Sequence, residues 1–323
     1  MYTIVYFTCM KTTKSHSSKK VIGFSFYELL AKFPTEESII TYFIKSRYGK
    51  RITCPNCGEK RKVYQHSKGA KFFNCKECSN SFSIFTGTIF ENTKLDLRKW
   101  VYAISKEAIS GKKGVSGCQL QREIGVTYKT AWRILKQIRI AMANHSNNEL
   151  FKAIIEVDET YIGGRPRKGT MGDQVKAKRG RGTKKTPVVG VLDRETGKVY
   201  AHVMSENKDG KKLTGKQLLN VIEMHAHQDA TIITDQFRAY RILRKAQREH
   251  HVVDHSKEYV SKDGHHTNNI ENYWSLVKRV FHGTHHHFSV KYMQTYLSAE
   301  AFRYSNRDNM ENIFDMVMKQ SVL

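Results

Sequence analysis

This chain of 323 residues lacks long apolar runs, and without about 18 consecutive apolar residues no membrane span is predicted. No basic segment precedes the apolar residues 1–10, which makes them a poor signal peptide, and Met10 is an alternative start. Cysteine is scarce, and four of the six cysteines stand in two Cys-x-x-Cys pairs. This arrangement favours a metal site over disulfides and hence a reducing compartment, so we expect a cytoplasmic protein.

Acidic residues are in short supply. The chain has 30 Asp and Glu against 55 Lys and Arg, a net charge of +25, and the basic residues occur in every segment. Such a surplus favours a polyanionic partner, of which nucleic acid is the first choice. A soluble basic protein without such a partner is the alternative that charge alone leaves open.

The first 50 residues predict a leader followed by short helices. Residues 1–24 lack periodicity and, after the apolar first ten, are rich in lysine and serine, which predicts a mobile segment. From residue 25 to 48 the apolar positions keep helical spacing on both sides of Pro34-Thr-Glu-Glu37. That tetrapeptide is typical of a turn and a helix start, so we expect a helical lead-in.

The two cysteine pairs come next. They are Cys54, Cys57, Cys75 and Cys78. Thiolates two residues apart on a tight turn can share one tetrahedral Zn²⁺, and two such pairs close a structural site with no open position for chemistry. Residues 63–65 and 71–74 predict the strands of a zinc ribbon. Four incidental buried cysteines are the alternative, and the ribbon could contact either DNA or a partner.

Three helical patterns follow between residues 91 and 146. Ser116-Gly-Cys-Gln119 predicts a capping box at the start of the second helix, and Thr127 caps the third after a glycine-containing turn. Two short helices joined by such a turn predict a helix-turn-helix, with Lys129 and Arg133 facing outward. Many small helical bundles share this pattern, but the basic composition favours DNA binding.

A different pattern begins after the polar linker 144–148. Three strands precede an alternation of helices and strands, which predicts a mixed sheet with helices on its faces. That order is what a ribonuclease-H-like fold requires. The predicted strands are 152–162, 187–193, 199–204, 230–235 and 251–254, and the predicted helices are 213–226, 237–248, one that carries Glu271 and one that runs through Phe302.

A basic, glycine-rich segment separates the first two of these strands. It contains Arg165, Arg167, Arg179 and Arg181. Glycines and dense positive charge cannot build a core, so we expect a flexible loop. Because the loop begins just after Asp158, it is expected to contact phosphates beside the site, although a solvated hairpin tip is the alternative.

Three acidic residues stand in apolar patterns: Asp158 in the first strand, Asp235 at the end of a central strand, and Glu271 beside a helical stripe. The stripe consists of Ile270, Trp274, Val277 and Phe281. A buried bare carboxylate is costly, and three together would repel unless divalent cations neutralised them. Two hard cations roughly 3.5 to 4 Å apart would activate an attacking oxygen and stabilise the leaving oxygen at a phosphodiester. Each acid alone could instead be a surface carboxylate or a helix cap.

Taken together, these motifs resemble a known family. The chain looks like a DDE transposase of bacterial insertion sequences, most closely the fifteen-ninety-five group, whose catalytic domain is called ISXO-like. The resemblance runs from about residue 33 to 307. Its motifs are the two cysteine pairs and residues 88–100, 115–132, 157–164, 181–190, 234–235 and 266–274.

The resemblance implies that Asp158, Asp235 and Glu271 are a catalytic triad for two Mg²⁺ or Mn²⁺ ions. It also implies that Lys278, two helical turns after Glu271, holds DNA at the cleavage site. Some relatives carry asparagine at the third acidic position, and residues 297–303 depart from the family's usual acidic-aromatic run. A homo-oligomer, a dimer on double-stranded DNA, is implied as well, acting at the bacterial nucleoid.

The expected fold is multidomain α+β. Its parts are a leader and helical lead-in (1–50), a zinc ribbon with one Zn²⁺ (51–90), a DNA-binding helix-turn-helix (91–146), a ribonuclease-H-like mixed α/β DDE catalytic domain (147–307) and a C-terminal tail (308–323). The first modules would bind terminal inverted repeats. The catalytic domain would cleave the element ends and join the 3′-hydroxyl to target DNA, without a covalent protein intermediate.

Two other classes of function are compatible with parts of the sequence. A non-catalytic, domesticated regulator would keep the DNA-binding modules yet lose an acid, and the intact triad argues against it. A ribonuclease-H-like structure-specific nuclease would not need two DNA-reading modules. The histidines at 250–251, 265–266 and 285–287 suggest either a second zinc site or, as we favour, DNA contact and support of the site.

Overall fold

The computed structural model describes residues 25–67, 69–109, 113–144, 150–163, 185–205, 213–254 and 264–322. Within these ranges the helices are α1 (Phe26–Lys32), α2 (Glu36–Tyr48), α3 (Leu97–Ile109), α4 (Gly117–Ile124), α5 (Tyr128–Ala143), α6 (Gly215–His225), α7 (Ile242–Lys245), α8 (Asn268–Val280), α9 (Val290–Ser305) and α10 (Met310–Gln320). The strands are β1 (Val63–Gln65), β2 (Phe72–Cys75), β3 (Ser81–Ser83), β4 (Ile154–Ile162), β5 (Thr186–Asp193), β6 (Val199–Val203), β7 (Thr231–Thr234) and β8 (His250–Val252). None of the helices described here is long and apolar enough to span a membrane.

The lead-in and the ribbon form as the sequence predicts. Ser25 and Thr35 begin α1 and α2, and each makes a complete capping box with the residue three positions later. The strands β1, β2 and β3 form an antiparallel sheet in that order. The predicted mobile segment 1–24 lies outside the described residues.

The helix-turn-helix also follows the predicted pattern. Gly125 ends α4 at φ +61°, a left-handed conformation that suits glycine, and Thr127 caps α5. Only the Ser116 half of the expected capping box is formed, because the Gln119 side-chain amide donates to Glu123 instead. The inward residues Ala131, Ile134, Leu135, Ile138 and Ala141 are all buried.

The C-terminal residues do not form the expected tail. Helix α10 buries Ile313, Phe314, Val317 and Met318 in the same core as α3 and α5. These residues follow helical spacing, so the signal was present in the sequence. What the sequence did not indicate is that the chain returns from the sheet to the N-terminal helices.

A five-stranded mixed sheet forms the second half of the molecule, in the order β6-β5-β4-β7-β8. Strand β5 is antiparallel to β4 and β6, whereas β7 runs parallel to β4 and β8 runs parallel to β7. This order is the predicted ribonuclease-H-like arrangement. Helix α6 packs on one face of the sheet, and α8 and α9 pack on the other.

The predicted helix 237–248 is shorter than expected. A 3-10 turn at Arg238–Arg241 leads into α7, which ends before Gln247 at φ +52°. A left-handed residue interrupts helical hydrogen bonding, and the chain then enters β8 beside β7. Helix α8, by contrast, is extended by a π-helical turn at Phe281–His285.

A buried ion cluster joins the helical part of the chain to the sheet part. The Oε1 atom of Glu107 on α3 accepts hydrogen bonds from Arg139 of α5 at 2.9 Å and from Arg303 of α9 at 3.2 Å. All three side chains are almost completely buried. Breaking such a buried pair leaves an uncompensated charge, so this contact ties the two parts together.

Candidate active site

The register of the sheet brings two of the predicted acids together. Strands β4 and β7 run parallel, with Glu156 beside Ile233. Asp158 and Asp235 each lie two residues further along, so they occupy neighbouring positions at the same end of the sheet. Asp235 is oriented by the backbone N–H of Phe237, which donates to Oδ1 at 2.9 Å.

A third acid in this cluster was missed by the sequence reasoning. Carboxylate oxygens of Asp158, Glu159 and Asp235 all lie within 4.8 Å of one another. The Oε2 atom of Glu159 accepts a hydrogen bond from the Tyr240 hydroxyl at 3.1 Å. The available signal was the adjacent Asp-Glu pair in an apolar strand, although strand alternation places neighbouring residues on opposite faces of a sheet.

Glu271 lies beside this cluster. It lines one cavity of about 560 Å³ together with Asp158 and Glu159. The hydroxyl of Thr267 donates to Glu271 Oε1 at 3.0 Å and orients the carboxylate. The helical stripe predicted beside Glu271 is buried at all four positions, so α8 presents this acid as the sequence indicated.

A glycine sets the depth at which α8 packs on the sheet. Gly190 pairs with Asp158 across β4 and β5, and both residues face α8. A Cβ atom on Gly190 would lie 2.6 Å from Trp274 Cζ2 and 2.8 Å from Ile270 Cδ1. Any larger residue would therefore push away the helix that carries Glu271.

The electrostatics of the cluster favour a bound cation. Burial, followed by the charges of Glu159 and Asp235, raises the pKa of Asp158 to about 8, and Glu271 adds to this shift. A divalent cation would offset both the burial cost and the repulsion. Grouped carboxylate oxygens are the donors that Mg²⁺ and Mn²⁺ prefer, so these residues fit such an ion.

The other wall of the cavity is basic. Lys278, Arg279 and His282 line it from the exposed side of α8, and Ser275 lies among them. Arg279 donates to the backbone carbonyl and the hydroxyl of Ser275. An acidic cluster facing a basic wall suits a phosphodiester, whose charge needs cations on both sides.

The other predicted DNA-binding residues are spread over different elements. Lys129 and Arg133 are exposed on α5, and Arg133 Nη2 lies 3.3 Å from the Glu91 carbonyl oxygen, to which it donates. The four basic-loop residues fall outside the described residues. They are Arg165, Arg167, Arg179 and Arg181.

The ribbon cysteines form a second candidate metal centre. The Sγ–Sγ distance is 3.7 Å for Cys54 and Cys78 and 3.6 Å for Cys57 and Cys75, and all four sulfurs lie within 4.8 Å of one another. Zn–S bonds of about 2.3 Å in a tetrahedron place sulfurs about 3.8 Å apart, so the spacing fits zinc. Hydrogen bonds, first from the Asn56 side chain, lower the pKa of Cys78, and burial together with hydrogen bonds from the other three thiols raises the pKa of Cys57.

The histidine clusters do not add a third centre among the residues described. Within that part of the chain, the groups of three or more potential ligands are the cysteine set and the acid cluster. His250 Nε2 lies 2.8 Å from the Thr234 hydroxyl, and His251 stacks on His265. His266 Nδ1 lies 3.4 Å from Glu156 Oε1, beside the start of α8.

Two domain families match the chain. Residues 151–305 match the ISXO2-like transposase domain, and residues 34–81 match the transposase zinc-ribbon domain. A protein described as an uncharacterized protein in transposable element ISH50 of Halobacterium salinarum is 29% identical over 301 residues. That match covers 88% of this chain and 98% of the relative.

Chains in two solved complexes are also similar to this chain. The match to the Mos1 strand transfer complex covers 64% of this chain and 73% of the matched Mos1 chain, with 15% sequence identity and a TM-score of 0.29. The match to a simian T-cell lymphotropic virus intasome in complex with PP2A regulatory subunit B56 gamma covers 58% of this chain and 64% of the matched chain. Its sequence identity is 16% and its TM-score is 0.28. Because both scores are low, the fold assignment rests on the strand order and the domain matches.

Proposed function

The chain belongs to the fifteen-ninety-five group of DDE transposases, and we propose that it cleaves the ends of its element and joins the freed 3′-hydroxyl to target DNA. The observation that carries this proposal is the cluster of Asp158, Glu159 and Asp235, two of which, Asp158 and Glu159, line one cavity with Glu271. The basic wall of the same cavity supports a phosphodiester substrate.

Asp158 and Glu159 connect the two parts of the proposed site, because both belong to the tight cluster and to the cavity that contains Glu271. We assign Asp158, Asp235 and Glu271 as ligands for two divalent ions, Mg²⁺ or Mn²⁺, with Glu159 as a fourth acid. When bound, these ions supply the positive charge that activates the attacking oxygen and stabilises the leaving oxygen. Thr267 and Tyr240 hold the Glu271 and Glu159 carboxylates by hydrogen bonds.

DNA would lie along the basic wall of α8, where Lys278 and Arg279 hold the phosphates on either side of the scissile bond. Lys129 and Arg133 on α5, with the ribbon folded around one Zn²⁺, would bind the terminal inverted repeats. The basic loop would hold further phosphates through Arg165, Arg167, Arg179 and Arg181. Two ends must meet for transposition, so we propose a homo-oligomer, a dimer on DNA, acting in the cytoplasm at the nucleoid.

The test uses the full-length protein, Mg²⁺ and DNA that carries the element's own ends. Asp158→Asn should abolish both cleavage and strand joining, while end binding in a gel-shift assay stays at the wild-type level. Asp229→Asn is the matched control, because this aspartate is 86% exposed in the turn before β7. Cleavage without joining by the wild type would favour a nuclease, and binding without cleavage would favour a regulator.

A further inference from the structure

The third acid on β4, Glu156, takes no part in the proposed chemistry. Glu156 lies two residues before Asp158, and its side chain is 0% exposed. By strand alternation it faces the same side of the sheet as Asp158, towards α8. A buried carboxylate is tolerated only where donors satisfy its oxygens, so its contacts reveal what it holds.

Both oxygens of Glu156 accept two hydrogen bonds. Oε2 accepts from the backbone N–H groups of Asn269 and Ile270, each at 3.0 Å. Oε1 accepts from Arg194 Nε at 2.7 Å and from Asn269 Nδ2 at 2.9 Å. Arg194 also donates through Nη2 to the carbonyl of His266, just before α8. The carboxylate is therefore held between a strand, an arginine and a helix start.

These contacts give Glu156 the position of a helix cap supplied by a distant element. Asn269 and Ile270 are the second and third residues of α8, whose backbone N–H groups have no partner within the helix. The N-cap residue Thr267 makes no side-chain cap hydrogen bond, and its hydroxyl donates to Glu271. A carboxylate at the N-terminal end of α8 also interacts favourably with the positive end of the helix dipole.

We propose that Glu156 is the positioning residue that sets the separation of Asp158 and Glu271, and thereby the affinity of the acid site for divalent cations. Asp158 lies two residues beyond Glu156 on β4, and Glu271 directly follows Ile270, whose N–H Glu156 holds. The connection between the two acids thus consists of one carboxylate, one strand and the first turn of α8. This inference rests on the proposed role of Glu271.

Glu156→Gln tests the connection with little change in volume. The substitution replaces one acceptor oxygen with an NH₂ group, which can only donate. In one orientation of the amide this group meets the N–H groups of Asn269 and Ile270, and in the other it meets Arg194 and Asn269 Nδ2. Both orientations bring donors against donors, so the start of α8 is displaced from β4.

A matched control separates positioning from a general loss of stability. Glu107 is also 0% exposed and accepts from Arg139, Arg303 and the backbone N–H of Val115, but it lies on α3. Glu107→Gln likewise removes a buried negative charge, in this case the one that pairs with Arg139, so both variants lose stability. Only Glu156→Gln is expected to change the acid site.

The measurement is Mn²⁺ binding to the zinc-loaded, full-length protein without DNA, by isothermal titration calorimetry, below the melting temperature of every variant. Asp158→Asn identifies the heat signal of the acid site by abolishing it. We expect Glu156→Gln to raise the Kd for Mn²⁺ roughly 10- to 100-fold, the range seen for residues that orient metal ligands, and Glu107→Gln to leave it unchanged.

Each outcome bears on one of the two proposals. If Asp158→Asn leaves Mn²⁺ binding intact, the proposed active site is wrong, whatever Glu156 does. If Asp158→Asn abolishes binding but Glu156→Gln matches Glu107→Gln, the positioning role is wrong and the active site stands. Should Glu156→Gln fail to fold, Asn269→Ala decides, since it removes one donor from an exposed residue. For Asn269→Ala, a rise in the Kd for Mn²⁺ that is smaller than the rise expected for Glu156→Gln supports the positioning role of Glu156. An unchanged Kd for Mn²⁺ overturns that role.

Discussion

Gly190 lies directly opposite Asp158 in the antiparallel pair of β4 and β5. The space above Gly190 is filled by Trp274 and Ile270, which flank Glu271 on α8. The absence of a side chain at Gly190 therefore allows the helix bearing Glu271 to approach the strand bearing Asp158 closely.

Gly190→Ala should separate α8 from β4. Its Cβ would meet Trp274 at 2.6 Å, and overpacking of this kind costs about 1–3 kcal/mol in the free energy of unfolding. We expect urea unfolding of Gly190→Ala to show this loss of stability, and we expect the variant to cleave DNA more slowly than wild type. Gly283→Ala is the control, because a Cβ there has no neighbour within 4 Å. Equal stability of the two variants would contradict the close packing at Gly190.

Glu271→Gln removes a charge from the cavity without changing the size of the side chain. If Glu271 is a cation ligand, Mg²⁺-dependent cleavage should fall about 100-fold or more, because charge stabilisation of several kcal/mol is lost. Asn272→Ala, one residue along and also exposed, should retain wild-type cleavage. The rate is measured in single turnover with end DNA, and similar rates for Glu271→Gln and wild type would exclude Glu271 from the triad.

Glu159→Gln tests whether the fourth acid binds the cation. Its oxygen lies within 4.8 Å of those of Asp158 and Asp235, so loss of its charge should weaken Mn²⁺ binding about tenfold, at the lower end for groups at metal sites. Tyr240→Phe removes only the hydrogen bond to Glu159 and should have a smaller effect. Calorimetry that shows unchanged Mn²⁺ affinity for Glu159→Gln would limit the ligands to the predicted triad.

Cys75→Ser should release the ribbon zinc. Three remaining thiolates bind more weakly than four, and because zinc binding supplies folding energy in such small units, the ribbon should unfold. Zinc content by atomic absorption, with hydrogen exchange over β1 to β3, measures both effects. Cys118→Ser, at an exposed cysteine of α4 outside the cluster, should keep one zinc per chain. Full zinc content in Cys75→Ser would contradict a four-thiolate site.

The histidine pair of β6 and α6 predicts acid sensitivity. His225 Nε2 lies 2.6 Å from His202 Nε2, and burial, followed by the charge of His202, lowers the pKa of His225 from 6.5 to about 4. Between these two pH values the unfolded chain binds a proton at His225 that the folded chain does not. The contribution of neutral His225 to the free energy of unfolding is therefore fully present above pH 6.5 and is lost as the pH falls towards 4.

His225→Phe should make this part of the stability curve shallower, because phenylalanine cannot take up the proton and can still stack on Tyr200. Urea unfolding between pH 7 and 4 measures the slope. His251→Gln, whose histidine side chain is 42% exposed, should retain the wild-type slope. If the free energy of unfolding falls equally with pH in His225→Phe and wild type, the histidine pair is excluded as the cause of the acid sensitivity.

Much of the fold could be predicted because its signals are local. The caps at Ser116 and Thr127, the glycine turn and the spacing of the cysteine pairs each depend on residues a few positions apart. The apolar spacing of α10 is an equally local signal, but the residues of α10 were expected to form a C-terminal tail. The place of α10 beside α3 depends on contacts between residues far apart in the sequence, which no local pattern reports.

The sequence by itself determined which acids stand in apolar elements, because alternation and helical spacing are properties of neighbouring residues. Only the tertiary structure decided how those acids group: Glu159 joins Asp158 and Asp235, while Glu271 stands beside them. Distances between carboxylates on different elements depend on strand register and on the packing depth of α8. Gly190 sets that depth, and Glu156 joins the strand to the helix start through contacts between residues more than 100 positions apart.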